Sequence, residues 1–210
     1  MIHYKIVSAN EKHFKSIACL HIKGITEGFL SSLGVNFLTI LYKGISNAPN
    51  SGIFVAVSEE NESRVLGYIS YAYDIKTCYI NIIKRNFISL SVTILPNIIN
   101  IKFLKKILET LFYPFFHKPQ KSEKYNNWVR AELLSMVIDN AYQGMGIGKN
   151  LVKTLDDAMK QMKIDKYYVV TYGIDVRSNS FYKSCGFVLK QEFTNHNKPM
   201  NEYVKVLDVI

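Results

Sequence analysis

The sequence predicts an α+β fold in which helices flank a central mixed, mostly antiparallel sheet of about seven strands. Residues 52–60 and 64–74 are rich in β-branched and aromatic residues and are joined by a polar turn, a pattern typical of a β-hairpin. Strand, helix and strand patterns follow one another over residues 128–175, which indicates a crossover connection and one parallel strand pair. Two β-rich runs, 187–193 and 201–210, complete the sheet.

The other elements are assigned from local periodicity. Residues 2–9 alternate enough to form a first strand, and Asn10 is expected to cap a helix over residues 11–24, because Ser, Thr, Asp and Asn are favoured at that position. Apolar residues recur at helical spacing in further segments of the chain. These segments are the predicted helices 35–45, 148–162 and 176–185, the last of which ends at Gly186.

Composition limits the class of protein. The chain has 210 residues, 48% of them hydrophobic, which fits a single globular domain over residues 1–210 that needs neither a disulfide nor a metal to fold. Cys19, Cys78 and Cys185 are far apart and form no CxxC pair, so we expect no zinc site and no disulfide framework, and we expect a reducing cytoplasm. The five histidines are scattered without ligand spacing, so no metal is expected.

The net charge of +9 indicates an anionic partner. A polyanionic cofactor, an anionic membrane surface and nucleic acid are the three candidates. Nucleic acid is the least favoured, because the basic residues alternate with aliphatic ones and the sequence has no helix-turn-helix or RNA-binding signature.

Residues 74–127 are predicted to form a helical insertion in the domain. The segment holds nine basic and three acidic residues, so it carries +6 of the net charge of +9. Its uncharged stretch between Arg85 and Lys102 is 16 residues long and contains Pro96, whereas a membrane span needs about 20 residues. Three interpretations stay open: a helical hairpin packed on the domain, a dimer contact or substrate lid, and a basic amphipathic element that touches a membrane surface.

The stretch YQGMGIGKNL, residues 142–151, places Gly144, Gly146 and Gly148 between a predicted strand and the next helix. Free N–H groups at a helix N-terminus bind anions, glycines let the main chain approach a ligand, and Lys149 would add a positive charge. A Walker loop needs GxxxxGKS/T and a dinucleotide fingerprint needs GxGxxG, and the turn has neither spacing. The turn therefore predicts an anion site of another kind.

The run Gln143-Gly-Met-Gly-Ile-Gly148 matches the Q/R-x-x-G-x-G/A signature of the GNAT superfamily of N-acetyltransferases, in which this turn binds the pyrophosphate of acetyl-coenzyme A. The run SNSFYKSCGFV, residues 178–188, resembles the second motif of that family, a helix with FY followed by GF. The two motifs stand in the family order, and the resemblance covers residues 128–190 closely and the earlier elements loosely. It implies a GNAT-like fold and an acetyl-CoA-dependent N-acetyltransferase.

The resemblance also implies the residues of the site. Backbone amides of residues 144–149 would hold the pyrophosphate, strand 134–138 would run beside the pantetheine arm, and an amide near Met136 would polarise the thioester carbonyl. Tyr182 matches the tyrosine that protonates the departing thiolate in many family members, and a core tyrosine is the alternative. The implied cofactor-binding residues are Met136, Val137, Ile138, Gln143, Gly144, Met145, Gly146, Ile147, Gly148, Lys149, Asn179 and Tyr182.

A base is also needed, because an alkyl amine has a pKa of about 10 and is protonated at neutral pH. Glu132 lies eleven residues before Gln143, where histone acetyltransferases of the superfamily place their base, so Glu132 is the implied catalytic base and Tyr182 the acid. A structural carboxylate, an anchor for the substrate amine and a water chain are the alternatives. The family often has an asparagine where this chain has Asp175, and an acid there opposes contact with a phosphate.

The implied reaction is direct transfer of an acetyl group to a primary amine, since Ser184 and Cys185 have no recognisable partner that would activate either as a nucleophile. An amino sugar is the first candidate acceptor, on a resemblance to acetyltransferases of bacterial surface-polysaccharide synthesis, and a small amine or a peptide N-terminus is the next. Residues 24–36 and the insertion are expected to build the acceptor site. The alternative function is a non-catalytic acyl-CoA-binding module, or a membrane-surface-associated protein that uses the basic insertion.

Overall fold

The computed structural model describes residues 3–26, 28–94, 130–195 and 197–209, and its centre is one seven-stranded sheet. The strands are β1 Tyr4–Ser8, β2 Ser51–Ser58, β3 Val65–Ala72, β4 Glu132–Ile138, β5 Lys166–Tyr172, β6 Val188–Asn195 and β7 Lys198–Val206. They lie in the order β1-β2-β3-β4-β5-β7-β6, and every neighbouring pair is antiparallel except β4 and β5. This arrangement confirms the predicted mixed, mostly antiparallel sheet.

Helices flank the sheet on both faces. They are α1 Phe14–Gly24, α2 Gly34–Asn47, α3 Ile75–Ile94, α4 Ile147–Gln161 and α5 Val176–Ser184. Short 3₁₀ turns at Phe29–Leu33 and Asn140–Tyr142 precede α2 and α4. The chain crosses from β4 to β5 through α4, and this crossover makes the two strands parallel, as the strand–helix–strand pattern predicts.

The predicted cap of α1 is wrong. The residue before the helix is His13, and the Asn10 side chain instead accepts a hydrogen bond from the backbone N–H of Lys12. Residues 10–13 close a turn of their own, because the His13 N–H donates to the Asn10 carbonyl and the His13 ring accepts from the Asn10 N–H. The preference of asparagine for such turns therefore marks the bend before the helix and not its first residue.

Each face of the sheet has its own hydrophobic core. The front face is covered by α1, α2 and α3, and the back face by α4 and α5. β3 lies between β2 and β4 in the interior of the sheet, and each of its residues is buried. Typical members of the front core are Ile17, Phe37, Leu38, Tyr68 and Ile82, and typical members of the back core are Leu133, Leu151, Leu155, Tyr167 and Phe187.

Helix α1 runs close to the front face of β4. Gly24, its last residue, packs so tightly on Val137 that a Cβ atom at Gly24 would overlap the valine methyl groups. Since only glycine permits this approach, the contact brings the C-terminal half of α1, including His21, towards the strand that carries the predicted site.

The insertion begins with α3, which is helical as predicted for this part of the chain. Ile88 and Val92 on this helix are 77% and 58% exposed. The rest of the insertion, including Pro96, lies outside the described residues. Within the described ranges, no helix is long and apolar enough to cross a membrane.

Candidate active site

The sheet opens between β4 and β5. The ladder between these strands consists of the pairs Glu132–Tyr168 and Leu133–Val169. Beyond Leu133, β4 pairs with β3 alone. Residues 134–138 therefore present backbone N–H and C=O groups to a gap, which an extended ligand can fill in the manner of an added strand.

A bulge in β4 lies at the start of this gap. Ser70 pairs with Ser135, and the next β3 residue, Tyr71, pairs with Leu133. Leu134 is therefore an extra residue of β4 that has no opposite residue on β3. A bulge bends its strand and increases the local twist, which helps β4 to leave β5. Met136, whose amide is predicted to face the thioester carbonyl, follows two residues later.

The glycine turn follows β4 and leads into the N-terminus of α4. Gly144 and Gly146 both have a φ of +80°, and Gly146 is the residue before the helix. The backbone N–H groups of residues 144–149 donate no hydrogen bond to any residue that the structure describes. Free donors at the positive end of a helix dipole suit an anion, so the predicted anion site is compatible with this geometry. The exposed Lys149 side chain adds a positive charge beside it.

The three glycines have two different roles. A Cβ atom on Gly144 or Gly146 would meet nothing within 4 Å, so both positions face open space in which a ligand can approach the main chain. A Cβ atom on Gly148 would lie 3.1 Å from the ring of Phe181, a residue of α5. Gly148 therefore lets α4 and α5 pack together, whereas Gly144 and Gly146 leave open space in front of the turn.

Gln143 stabilises the turn from within. Its side-chain amide donates to the carbonyl of Ile138 at 3.0 Å and to the side chain of Asn140 at 2.9 Å. The Asp139 carboxylate accepts from the N–H of Ala141. Together these bonds fix the chain between the end of β4 and the residues that present the free N–H groups.

Tyr182 approaches this region from α5 on the back face. The residue is 7% exposed, and its ring contacts the rings of Phe187 and Tyr203. Its hydroxyl has no hydrogen-bond partner among the described residues, yet it is not fully enclosed. Burial raises the pKa of Tyr182, so the hydroxyl stays protonated at neutral pH. A protonated and unpaired hydroxyl is suited to donate a proton to a ligand.

Asp175 and Asn179 have structural partners. Asp175 precedes α5, and its carboxylate accepts from the backbone N–H and the hydroxyl of Ser178 at 3.0 and 2.6 Å, so it caps the helix. Both ends of the Asn179 amide are used inside the protein, by Tyr172, Gly173, Asp175, Asn201 and Tyr203. This leaves Asn179 without a free donor for a phosphate, and its contact with a cofactor stays a prediction.

Glu132 lies at the start of β4 and is 7% exposed. Because the next residue, Leu133, belongs to the back core, Glu132 points to the front face. Arg130 Nε donates to the Glu132 carboxylate at 3.0 Å, and the same guanidinium reaches Glu202, a second buried carboxylate. Burial raises the pKa of Glu132, and the charge of Arg130 partly offsets this effect. The predicted base and a structural ion pair are both compatible with this geometry.

A cluster of polar side chains on the front face is predicted by no sequence motif. This hydroxyl cluster consists of His21 of α1, Tyr42 of α2, Tyr68 and Ser70 of β3, and Ser135 of β4. The Tyr42 hydroxyl lies 2.5 Å from His21 Nδ1, 2.7 Å from the Tyr68 hydroxyl and 3.0 Å from Ser135 Oγ. Ser70 Oγ lies 2.7 Å from Ser135 Oγ. The members come from four separate elements, so only the fold brings them together.

His21 is the buried end of the hydroxyl cluster. The residue is 3% exposed, and its Nε2 is enclosed without a hydrogen-bond partner among the described residues. Burial lowers the pKa of His21 to about 4. The imidazole is therefore neutral at physiological pH.

The free energy of unfolding is expected to fall as the pH drops from 6.5 to about 4. In the unfolded chain His21 binds a proton below pH 6.5, whereas in the folded protein it binds one only below about pH 4. The contribution of the neutral imidazole to the free energy of unfolding is therefore fully present above pH 6.5 and is lost as the pH falls from 6.5 to about 4. This difference of about 2.5 in pKa corresponds to about 3 kcal/mol. Urea unfolding at two pH values, 7.5 and 4.5, measures the fall.

The exchange His21→Gln should reduce the loss of unfolding free energy between pH 7.5 and 4.5, because it removes the group that titrates. The glutamine keeps a hydrogen-bond acceptor for the hydroxyls. The exchange His3→Gln, at an exposed histidine, is the matched control and should leave the fall unchanged. The same fall in wild type and His21→Gln would contradict the assignment to His21.

Ser184 and Cys185 do not form a nucleophilic pair. Ser184 Oγ donates to the carbonyl of Phe181, and burial raises the pKa of the Cys185 thiol, which keeps it protonated. In the described parts of the chain, no three His, Cys, Asp or Glu side chains come together as a metal site.

Residues 123–187 match the model of the family described as the Acetyltransferase (GNAT) family. The matched range contains β4, the glycine turn, α4, β5 and most of the motif around Tyr182, and so both sides of the gap and the anion site. No curated protein sequence matches the chain.

Solved structures share the fold over nearly the whole chain. A chimera of the spermidine N-acetyltransferase SpeG from Vibrio cholerae and hSSAT is 12% identical, with 97% of this chain and 95% of that chain covered and a TM-score of 0.60. Ard1 from Thermoplasma volcanium is 12% identical, with 97% of each chain covered and a TM-score of 0.58. The NatC complex bound to Gag peptide and CoA is 14% identical, with 98% of this chain and 99% of that chain covered and a TM-score of 0.56. At these identities the likeness establishes the fold.

Proposed function

We propose that this chain transfers an acetyl group from acetyl-CoA directly to a primary amine, and the match of residues 123–187 to the acetyltransferase family model supports this. The observation that carries the proposal is the gap between β4 and β5 together with the free N–H groups of the glycine turn. Acetyl-CoA has an extended pantetheine arm joined to a pyrophosphate. The gap suits the arm and the turn suits the anion, so one ligand uses both features.

In this proposal the thioester lies in the gap beside Met136. A β4 amide there donates to the thioester oxygen as negative charge develops on it, and Tyr182 gives a proton to the leaving sulfur from the back face. The acceptor nitrogen approaches from the front face, where α1 and α2 lie. No acyl-enzyme forms, and the protonated state of the Cys185 thiol supports this.

We propose Glu132 as the group that takes the proton of the acceptor amine. Its raised pKa brings the carboxylate nearer to the range of an effective base. Glu132→Gln should lower kcat/KM by roughly a hundredfold at low pH, where the amine is protonated and needs a base, and by much less near the pKa of the amine. The pH dependence of kcat/KM measures this.

Glu202→Gln is the matched control for Glu132→Gln. It removes the other buried carboxylate that Arg130 contacts, and it should change stability more than the shape of the pH–rate profile. A profile that Glu132→Gln leaves unchanged excludes Glu132 as the base and assigns it to the ion pair.

The acceptor site is proposed where residues 24–36 meet the first helix of the insertion. A cavity of about 390 Å³ is lined there by Leu33, Gly34, Val35, Asn36, Val92 and Thr93. This volume lies within the usual range of small-molecule pockets, which supports an amino sugar or another small amine as the first candidates and a peptide N-terminus as the next.

An assay of thiol release tests the reaction and the acceptor together. The protein is given acetyl-CoA and a panel of amino sugars, polyamines and peptides with a free N-terminus. We expect CoA release that depends on one class of amine, with a product that is one acetyl group heavier. Calorimetric binding of CoA without thiol release on any amine would instead favour a non-catalytic acyl-CoA-binding module.

Two further properties of the insertion stay predictions. A basic amphipathic surface would bind anionic membranes, and co-sedimentation with vesicles that contain an anionic phospholipid tests this contact. A dimer contact would appear as twice the chain mass in light scattering. Neither property is needed for the proposed chemistry.

A further inference from the structure

The hydroxyl cluster has no part in the steps above, yet it ends beside the proposed position of the thioester. Four of its members, His21, Tyr42, Tyr68 and Ser70, are 3% exposed or less. Ser135 is half-buried and directly precedes Met136. The cluster therefore has a buried end at His21 and an accessible end on the strand that borders the gap.

Hydrogen bonding within the cluster has a direction. The phenolic hydroxyls of Tyr42 and Tyr68 converge on His21 Nδ1 at 2.5 and 3.2 Å. A phenol is a strong donor and a weak acceptor, and an unprotonated imidazole nitrogen is a strong acceptor, so we assign the hydrogen of neutral His21 to Nε2. Tyr42 then donates to His21, and its oxygen accepts from Tyr68 and Ser135.

This direction determines the state of Ser135. Its hydroxyl hydrogen is donated to Tyr42 at 3.0 Å. The hydrogen in the 2.7 Å contact between Ser70 Oγ and Ser135 Oγ therefore comes from Ser70, which also reaches the Ser135 carbonyl at 3.3 Å. One lone pair of Ser135 Oγ is then left for a ligand. Ser135 can accept a hydrogen bond from a ligand and has no hydrogen left to donate to one.

Residue 21 is a histidine in a hydrophobic core, where an apolar side chain would pack without leaving a polar group unpaired. With its hydrogen on Nε2, His21 leaves an unpaired N–H inside the front core. An unpaired buried donor destabilises a protein, and a leucine or phenylalanine in this place would avoid that penalty. The imidazole supplies the acceptor at Nδ1 towards which the hydroxyls of the cluster point.

We propose that Ser135 Oγ accepts an N–H of the attacking amine and that His21, acting through Tyr42, holds Ser135 in this accepting state. The inference rests on the proposed acetyl transfer and adds to it a residue that selects the acceptor. Ser135 lies on the front face of β4, from which the acceptor approaches, and one residue before the amide proposed to hold the thioester oxygen. The hydrogen bond turns the nitrogen lone pair towards the thioester carbon.

The proposal distinguishes primary from secondary amines. The base first takes the proton of the ammonium ion and releases it to water. The neutral primary amine that results has two N–H groups: the base takes one hydrogen as the C–N bond forms and the C–S bond breaks, and Ser135 holds the other, which remains in the amide product. A secondary amine has a single N–H, which the base takes, so it has none left for Ser135. The enzyme should therefore prefer a primary amine to its N-methyl derivative.

Initial rates with acetyl-CoA, the best primary amine of the panel and its N-methyl derivative test the inference. Ser135→Ala should lower kcat/KM for the primary amine about tenfold, the loss expected for one hydrogen bond, and should reduce the preference for it over the N-methyl derivative. The affinity for CoA, measured by calorimetry, should stay within about twofold, as expected for a contact made to the acceptor alone.

Tyr42→Phe separates hydrogen bonding from available space, because it changes the partner of Ser135 and not the size of residue 135. Tyr42→Phe should reduce the preference for the primary amine over its N-methyl derivative, but by less than Ser135→Ala does. His21→Leu should act like Tyr42→Phe, and His21→Gln, whose amide oxygen can accept from Tyr42, should retain the preference. The matched controls Ser70→Ala and Tyr68→Phe remove hydroxyls outside the path from His21 through Tyr42 to Ser135, and they should keep the wild-type preference.

The outcomes separate this inference from the proposed function. An active wild type whose preference is unchanged in Ser135→Ala overturns the inference and leaves the proposed function intact. Equal losses in Tyr42→Phe and Tyr68→Phe also overturn it, since they would reflect packing of the core. A wild type that binds CoA and acetylates no amine overturns both. Ser135→Ala is a small change at a half-buried site, so it should leave the fold intact. The test of the inference therefore does not depend on the variants at the buried positions of the cluster.

Discussion

Tyr182→Phe is expected to lower kcat roughly a hundredfold while the affinity for CoA changes by less than about threefold. The exchange removes the group proposed to protonate the leaving thiolate and keeps the ring contacts with Phe187 and Tyr203. Because the hydroxyl has no partner among the described residues, its removal should leave the melting temperature unchanged or slightly higher. Single-turnover kinetics, calorimetry and thermal unfolding measure the three quantities.

Tyr203→Phe is the matched control for Tyr182→Phe. Tyr203 is buried in the same core, but its hydroxyl donates to the Asn179 side chain at 2.8 Å. Loss of this bond should lower the free energy of unfolding by about 1 kcal/mol with little effect on kcat. Equal loss of turnover and CoA affinity in Tyr182→Phe would instead make Tyr182 a core tyrosine, the alternative that the motif leaves open.

Gly146→Ala is expected to weaken CoA binding about tenfold or more, because the loss of one charge-assisted hydrogen bond removes about 1.5–3 kcal/mol. The Cβ atom would enter the open space in front of the free N–H groups of residues 144–149, where the pyrophosphate is proposed to lie. The φ of +80° adds strain, which for alanine is roughly 1–2 kcal/mol. Calorimetric titration with CoA measures the affinity.

Gly186→Ala separates this strain from contact with the ligand. Gly186 has a φ of +87° in the turn after α5, and the nearest atom to its added Cβ would be Lys205 Cε at 3.7 Å. Both exchanges should lower the melting temperature by similar amounts, and Gly146→Ala alone should reduce the affinity for CoA. Equal loss of affinity in both variants would contradict the assignment of an anion site to Gly146.

The features that depend on one continuous segment are predictable from the sequence. The glycine turn, α4 and the parallel strand pair all lie between residues 128 and 175, and their local patterns carry the prediction. Even there, spacing does not distinguish Gly146 from Gly148. The distinction comes from φ and from the ring of Phe181, which approaches Gly148 from another helix.

The features that several elements build together are not predictable in this way. The hydroxyl cluster joins α1, α2, β3 and β4, and each member taken alone is an ordinary polar residue. Arg130 contacts Glu132 beside it and Glu202 on β7, so the environment of the predicted base depends on a strand far along the chain. Asn10 shows the same limit at short range, because the bonds within residues 10–13 decide where α1 begins.

On the proposed function, the short ladder between β4 and β5 would also link the supply of cosubstrate to the lifetime of the protein. Two residue pairs join these strands, against six between β3 and β4 and seven between β5 and β7, so the sheet is weakest at the proposed binding site. A ligand that bridges the gap ties the two halves together and, at a concentration one hundred times its Kd, raises the free energy of unfolding by about 2.7 kcal/mol. On the proposed function, a cell rich in acetyl-CoA would protect the folded chain from proteolysis, and a starved cell would lose the enzyme together with its cosubstrate.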